Sequence, residues 1–291
     1  MSTKHPIIVV TGSSGSGTTT VKNTFEQIFR REGIKAVNIE GDAFHRYDRA
    51  AMKAAIAEAG TQGNNHFSHF SPEANLLDEL GAVFAEFAES GTGRTRQYIH
   101  DEAESLRFNT PVGTFTEWAP LDPSADVLFY EGLHGAAQTP TTDLSTYGDL
   151  KIGVVPVINL EWIQKLHRDK TSRHHSEEDI TNTILRRMPD YVRTICPQFT
   201  KTDINFQRVP TVDTSNPFIA RAIPAADESL VVIRFRNPRG IDFPYLVSMI
   251  HDSFMSRANS IVVPGGKLDL AMQLILTPLI HRLIDNSRRA Q

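Results

Sequence analysis

Ile7-Ile8-Val9-Val10-Thr11-Gly12-Ser13-Ser14-Gly15-Ser16-Gly17-Thr18-Thr19-Thr20 is the stretch that decides how this chain folds. Its first four residues are a β-branched run bounded by Pro6 and a glycine-rich turn, which reads as a strand buried on both faces. After the turn, Val21, Phe25, Ile28 and Phe29 recur at helical spacing. The pattern stops at Arg30-Arg31-Glu32-Gly33, where basic residues and a closing glycine suit a helix C-terminus. Residues 36–39 (Ala-Val-Asn-Ile) read as a second strand. Strand, glycine loop, helix and strand make a βαβ unit, whose parallel sheet requires helices on both faces. The fold class is α/β.

Between the first strand and the first helix the chain carries G-x-x-x-x-G followed by two residues, the second a Thr. That is the frame of a phosphate-binding P-loop, with Thr18 where the pattern has Lys. Glycines let backbone N–H groups turn inward around a phosphate, and a helix N-terminus adds favourable partial charge. The expected nucleotide contacts are Gly12, Ser13, Ser14, Gly15, Ser16, Gly17, Thr18, Thr19 and Thr20, with the Thr19 hydroxyl available to Mg²⁺. A glycine-rich turn without a ligand is the competing reading, and the strand–loop–helix context favours the phosphate. A dinucleotide-binding G-x-G-x-x-G would need glycine at Thr20.

Further along, helical patterns are expected over residues 50–59, 72–88 and 177–187, from about Leu160, and over 268–284 with a kink near Pro278. Strands are expected over residues 127–130, 152–158 and 230–235. Residues 90–125, rich in Gly, Thr, Pro and Asp, read as loop with short strands, long enough to suggest a functional segment. No repeat, charged tail or linker interrupts the chain. The expectation is one domain over residues 1–291 with lid and loop elaborations.

Two acids follow apolar strands, on the side where open α/β sheets bind ligands. Asp42, in Glu40-Gly41-Asp42-Ala43-Phe44-His45, suits a general base or a metal contact, and Glu131 occupies the place of a Walker-B acid. A turn acid or a helix N-cap is the plainer alternative for either. A third cluster places Lys165, Arg168 and Asp169 at i, i+3 and i+4, on one helix face that could close over a triphosphate. From spacing alone, a solvated salt-bridged face is the better account of it. His167-Arg168-Asp169 imitates a protein-kinase catalytic loop, but His174 stands where that motif needs Asn. His45 and Arg49 follow Asp42 closely enough to hold a sugar phosphate, and Arg94, Arg96, Tyr98 and His100 form a second basic and aromatic set. No Cys or carboxylate spacing completes a metal site around His66 and His69 or His174 and His175.

Composition excludes several classes. In 291 residues, 30 Lys and Arg against 34 Asp and Glu give a net charge of −4, without the basic excess of a nucleic-acid binder. The apolar run at residues 7–10 is shorter than a signal-peptide core of roughly 7–15 residues, and no run of about 18 suggests a membrane span. The single cysteine, Cys196, has no intramolecular partner, which fits a reducing compartment. The expectation is a cytoplasmic enzyme without nucleic-acid or membrane partners.

The motifs at residues 12–20 (GSSGSGTTT), 40–45 (EGDAFH), 129–135 (FYEGLHG), 154–169 (VVPVINLEWIQKLHRD), 203–208 (DINFQR), 212–221 (VDTSNPFIAR) and 235–244 (FRNPRGIDFP) resemble phosphoribulokinases of the bacterial, proteobacterial type. The likeness covers nearly the whole chain, and Thr at the loop lysine position is typical of that group. The resemblance implies a mixed, mostly parallel sheet between helices, similar to nucleoside monophosphate kinases. It implies MgATP-dependent phosphorylation of the C1 hydroxyl of D-ribulose 5-phosphate, giving ribulose 1,5-bisphosphate for carbon fixation. On matching positions, Asp42 is implied as base, Glu131 and Asp169 as carboxylates near Mg²⁺, and Lys165 and Arg168 as cations at the phosphates. His45, Arg49 and Arg173 are implied at the sugar phosphate, with Tyr98 and His100 beside them. The same resemblance implies a homo-octamer activated by NADH and inhibited by AMP, with Arg234 and Arg257 as effector-site candidates. A different small-molecule kinase, for uridine or pantothenate, and a nucleotide-sensing protein without turnover are the alternatives.

Overall fold

The computed structural model describes residues 4–13, 17–155, 157–173, 176–219 and 222–290, with backbone alone at 171–173. The opening unit forms as the sequence requires: β1 (Ile7–Gly12), α1 (Thr18–Glu32) and β2 (Ala36–Glu40). Every residue of β1 is buried. Helix α1 turns Val21, Phe25, Ile28 and Phe29 inward, and Phe25 and Phe29 meet Phe129 at ring-centroid distances of 5.0 and 5.8 Å. Gly33 ends the helix at φ +64°, with Gly33 N–H on the Arg30 carbonyl and Ile34 N–H on that of Phe29. Glycine reaches this left-handed closure without the Cβ penalty.

The chain continues through α2 (Arg49–Thr61), α3 (Leu77–Ser90), β3 (Arg94–Thr95), α4 (Glu102–Phe108), β4 (Ala119–Pro120), β5 (Val127–Gly132) and β6 (Leu150–Val155). Then come α5 (Ile158–Arg173), α6 (Glu177–Asp190), β7 (Ile204–Pro210), β8 (Ser229–Phe235), α7 (Phe243–Met249), β9 (Phe254–Arg257), β10 (Ser260–Pro264) and α8 (Leu268–Ala290). Eight strands form one sheet in the order β2-β5-β1-β6-β7-β8-β10-β9, and β3 pairs with β4 in a separate ribbon. The first five of that order are mutually parallel, and β8, β10 and β9 add antiparallel. One face packs against α1, α7 and α8, the other against α3 and the turn after β2. The expected mixed, mostly parallel sheet between helices is therefore present.

Several elements differ from the sequence reading. The helix expected at 72–88 is a short 3₁₀ turn at Pro72–Ala74 followed by α3, because Asn75 is extended between them. The strand expected at 152–158 ends by Val155, since Ile158 already opens α5. Residues 90–125, read as loop and short strands, also hold α4, which buries no side chain and so shows no apolar period. Strands β7, β9 and β10 and helix α7 went unread; β9 is exposed throughout. Helix α8 runs past Pro278 to Ala290. Among the described residues, no helix is long and apolar enough to cross a membrane.

Candidate active site

Strands β2, β5, β1 and β6 deliver their C-terminal ends to one edge of the sheet, and a cleft of about 420 Å³ opens there. Gly12, Thr18 and Thr19 line it. Gly17 precedes α1 at φ +103°, and no side chain caps the helix. First-turn N–H groups without a side-chain cap, beside a glycine-ended strand, fit a phosphate group. Ser13 is fully buried and Thr20 is exposed in the first turn. Ser14, Gly15 and Ser16 lie outside the described residues.

Acids gather opposite this loop. Glu131, at the end of β5, is held above the usual carboxylate range by burial and by the nearby Asp42 and Glu40, while the Thr18 hydroxyl and Lys22 oppose the rise. Lys22 stands one turn after Thr18 on α1, so both face the cleft, and its Nζ meets Glu40 Oε1 at 2.5 Å. Burial pulls the Lys22 ammonium down, but its bond to Glu40 and the fields of Glu40, Glu131 and Glu26 leave it raised. Among the described residues no three His, Cys, Asp or Glu side chains are arranged to hold a metal. Mg²⁺ keeps several waters and takes one or two carboxylates plus phosphate oxygens, and a Thr hydroxyl with a half-buried carboxylate beside a phosphate loop fits that demand.

Asp42 sits in a 3₁₀ turn, Gly41–Phe44, directly after β2. Its carboxylate, half open to the cleft, lies between two imidazoles: His45 Nε2 is 3.4 Å from Oδ1 and His100 Nε2 is 3.6 Å from Oδ2. His45 stacks on His69 with ring centroids 3.9 Å apart. Burial pushes both rings down to about 3, helped by His134 on His45 and by His45 on His69, so both are neutral at physiological pH. Arg49 opens α2, with Nη2 on the His100 carbonyl at 3.4 Å, and Tyr98 packs its ring on His100 at 4.9 Å. Arg49 and Tyr98 thus stand behind His100 at the rim, outside the cleft's lining.

The turn carrying Asp42 is wedged against the end of β5. A Cβ on Gly41 would meet the Tyr130 hydroxyl at 2.7 Å and the Gly132 Cα at 2.9 Å. Gly41→Ala is therefore expected to cost roughly 1–3 kcal/mol by overpacking and to displace Asp42. A thermal melt read beside kcat checks this: both should fall, and wild-type values of both would show that the turn yields freely.

Helix α5 brings Arg168 of the third cluster into the cleft lining, while Lys165 lines a small neighbouring pocket with Phe70, Arg187 and Tyr191. Lys165 and Asp169 are buried, at 8% and 5% exposure, and Lys165 Nζ bonds Asp169 Oδ2 at 2.5 Å. Arg168 Nε donates to Asp169 Oδ1 at 3.0 Å, and Arg168 itself lines the cleft. Burial pushes Asp169 up, but Lys165 and then Arg168 outweigh it and leave the carboxyl low. Burial and the neighbouring Arg187 bring Lys165 down to about 8. The solvated salt-bridge reading of this helix face does not survive that burial. Arg173 ends α5, and its side chain, like His174 and His175, lies outside the described residues.

Sequence reading missed Lys22, Glu40, His69, Glu104 and Arg187 in the cleft lining. Lys22 had a legible signal, the i+4 spacing from Thr18. His69 and Arg187 reach the cleft from the turn before α3 and from α6, by packing alone. His66 turns away to Asp190, at 3.1 Å, so it forms no pair with His69. Arg234 and Arg257 lie far along the sheet, on β8 and β9, each in register with Ser260.

A family model described as phosphoribulokinase / uridine kinase matches residues 7–215. The chain is 69% identical to a phosphoribulokinase of Nitrobacter vulgaris over 287 residues, 99% of each chain. It is 66% identical to phosphoribulokinase 1 of Cereibacter sphaeroides over the full length of both. Among solved structures, a phosphoribulokinase from Rhodobacter spheroides superposes with a TM-score of 0.91 at 64% identity, covering 99% of this chain and 100% of that one.

Proposed function

The chain belongs to the phosphoribulokinase and uridine kinase family, and from that premise we propose that it phosphorylates the C1 hydroxyl of D-ribulose 5-phosphate with ATP. The product is ribulose 1,5-bisphosphate, the acceptor of Calvin-cycle carbon fixation. Relatives carrying the name phosphoribulokinase at 63–69% identity over the whole chain support the substrate. The observation that supports the chemistry is the placement of Asp42, between His45 and His100, across one cleft from the phosphate loop.

In this reading Arg49, at the rim beside His100, and Arg173 hold the substrate's 5-phosphate together with His45 and His100. The C1 hydroxyl gives its proton to the Asp42 carboxylate as its oxygen attacks the γ-phosphorus and ADP departs. His45, neutral, accepts or donates a hydrogen bond without adding charge beside the base. The Thr19 hydroxyl, Glu131 and Asp169 are the residues that would hold Mg²⁺, directly or through water, and the ion's charge would then offset that of the phosphates. Lys165 and Arg168 supply the cation that Thr18 does not. Residues 1–291 act as one kinase domain in the cytoplasm, with α5 and α6 as its lid. A homo-oligomer answering to NADH belongs to the same reading. Arg234 and Arg257, paired across Ser260, are its effector-site candidates.

Release of ADP from MgATP, measured with ribulose 5-phosphate, uridine and pantothenate in parallel, tests the assignment. Turnover is expected with ribulose 5-phosphate alone. Comparable turnover of uridine or pantothenate moves the substrate, and ATP binding without any turnover favours a nucleotide sensor.

A further inference from the structure

Of the basic and aromatic residues after Gly93, the phosphoryl-transfer reading uses His100, backed by Tyr98, and gives Arg96 no task. Arg96 follows β3, half-buried and outside the lining of the cleft. Its guanidinium lies 3.7 Å from the ring centroid of Phe115 and 4.7 Å from that of Trp118. Both rings come from the stretch before β4, which pairs back on the Arg96 segment: Thr116 N–H bonds the Gln97 carbonyl and Ile99 N–H that of Thr114. Stacking between two rings fixes the plane of the fork. From that plane Nε donates to the Ala43 carbonyl at 2.8 Å and Nη2 to the His45 carbonyl at 2.7 Å. Ala43 and His45 are buried and flank Phe44, whose own carbonyl accepts from Leu76 N–H. Phe44 in turn meets Trp118 with ring centroids 5.4 Å apart. The partners of this guanidinium are thus neutral carbonyls, not a carboxylate, and they belong to the turn that carries Asp42 and to the residue that closes it.

We infer that Arg96 is a positioning residue: its planar fork holds the Asp42 turn against the ribbon that leads to His100, and so sets the base between its two imidazoles. This rests on the reading of Asp42 as the base. Two separate parts of the fold meet at that carboxylate. Asp42 and His45 come from the turn after β2, and His100 from the segment after β3. Gly41 fits the turn to the end of β5, and Arg96 fits it to the ribbon. The separations of 3.4 and 3.6 Å from Asp42 to His45 and His100 follow from both contacts. Misplacing a reacting group by about 1 Å costs on the order of 10²-fold in rate. Lysine at this position keeps the charge, but its ammonium does not reproduce two parallel donors in one plane.

Release of ADP with MgATP and ribulose 5-phosphate, read beside ATP Kd, tests the fork. Arg96→Lys should lower kcat by roughly ten- to a hundredfold while ATP Kd stays within about twofold of wild type. A variant that was merely unfolded would lose nucleotide binding as well. In an Asp42→Asn background the same change should cost less than about threefold more, because the group it positions is already gone. Arg96→Ala should regain at least about tenfold in kcat with added ethylguanidinium, which supplies the missing end of the side chain, and not with ethylammonium at the same ionic strength. Wild-type kcat in Arg96→Lys, with Asp42→Asn impaired, overturns the inference and leaves the base standing. Retained turnover in Asp42→Asn removes the base, and the inference with it. A full additive loss in the double variant shows that Arg96 does not act through Asp42, and equal rescue by ethylammonium shows that the fork is not what matters; either result overturns the inference.

Discussion

Asn at position 42 is expected to lower kcat by at least about 10²-fold while leaving nucleotide affinity near wild type. General bases contribute roughly 10²–10⁴-fold, and Asn preserves the shape and one acceptor oxygen of the side chain while removing its basicity. The geometry makes the separation of kcat from binding specific. Asp42 stands on the turn after β2 and faces His45 and His100, whereas the nucleotide's phosphates belong at the glycine loop and the first turn of α1. His45 does not substitute for it readily: driven to about 3, it is poorly basic. Retention of most of the turnover by Asp42→Asn would falsify the assignment of the base. A parallel loss of ATP affinity would move Asp42 into the nucleotide site.

The parallel half of the sheet was legible because its signals are local. Residues 7–10 could not be anything but a buried strand before a glycine loop, and the apolar period of α1 and its Gly33 closure were all in one 30-residue window. Glu131 and Asp42 were readable for the same reason, as acids at the ends of apolar strands. The antiparallel extension was harder. Strand β7 alternates buried and half-buried positions only over its first four residues and stays half-buried to Pro210, and β9 buries nothing, so neither offers a sustained two-residue period. Pairing with β8 and β10, set by tertiary contact, makes them strands. Among site residues, Arg187 and His69 lie on elements whose own patterns point elsewhere, and only the packing of α6 and of the turn before α3 brings them to the cleft.

Lys165→Met is expected to lower kcat by roughly 10²-fold or more while changing ATP affinity far less. A P-loop enzyme normally meets the charge spreading over the γ-phosphoryl oxygens with the loop lysine, and Thr18 is neutral here. Lys22 faces the same cleft from α1, but its Nζ is committed to Glu40 at 2.5 Å, with Glu131 adding to the negative field. Arg168 lines the cleft, and Lys165 stands buried beside it on Asp169. A preorganised cation in a low-dielectric position is worth most where charge develops, and loss of one such contact costs about 10²–10³-fold in kcat. An exposed salt bridge, worth about 0–1 kcal/mol, would leave the kinetics within roughly a factor of two; burial of both partners argues against that outcome. The substitution also leaves Asp169 with Arg168 as its remaining cation in this cluster, so some loss of stability accompanies it. Measuring Tm and ATP Kd beside kcat keeps the two effects apart. A fall in Tm with kcat intact would make the Lys165–Asp169 pair purely structural. A weakened Kd with kcat intact would make Lys165 a ground-state nucleotide contact. The expected result, kcat lost with Kd nearly held, is the pattern of a cation felt chiefly in the transition state.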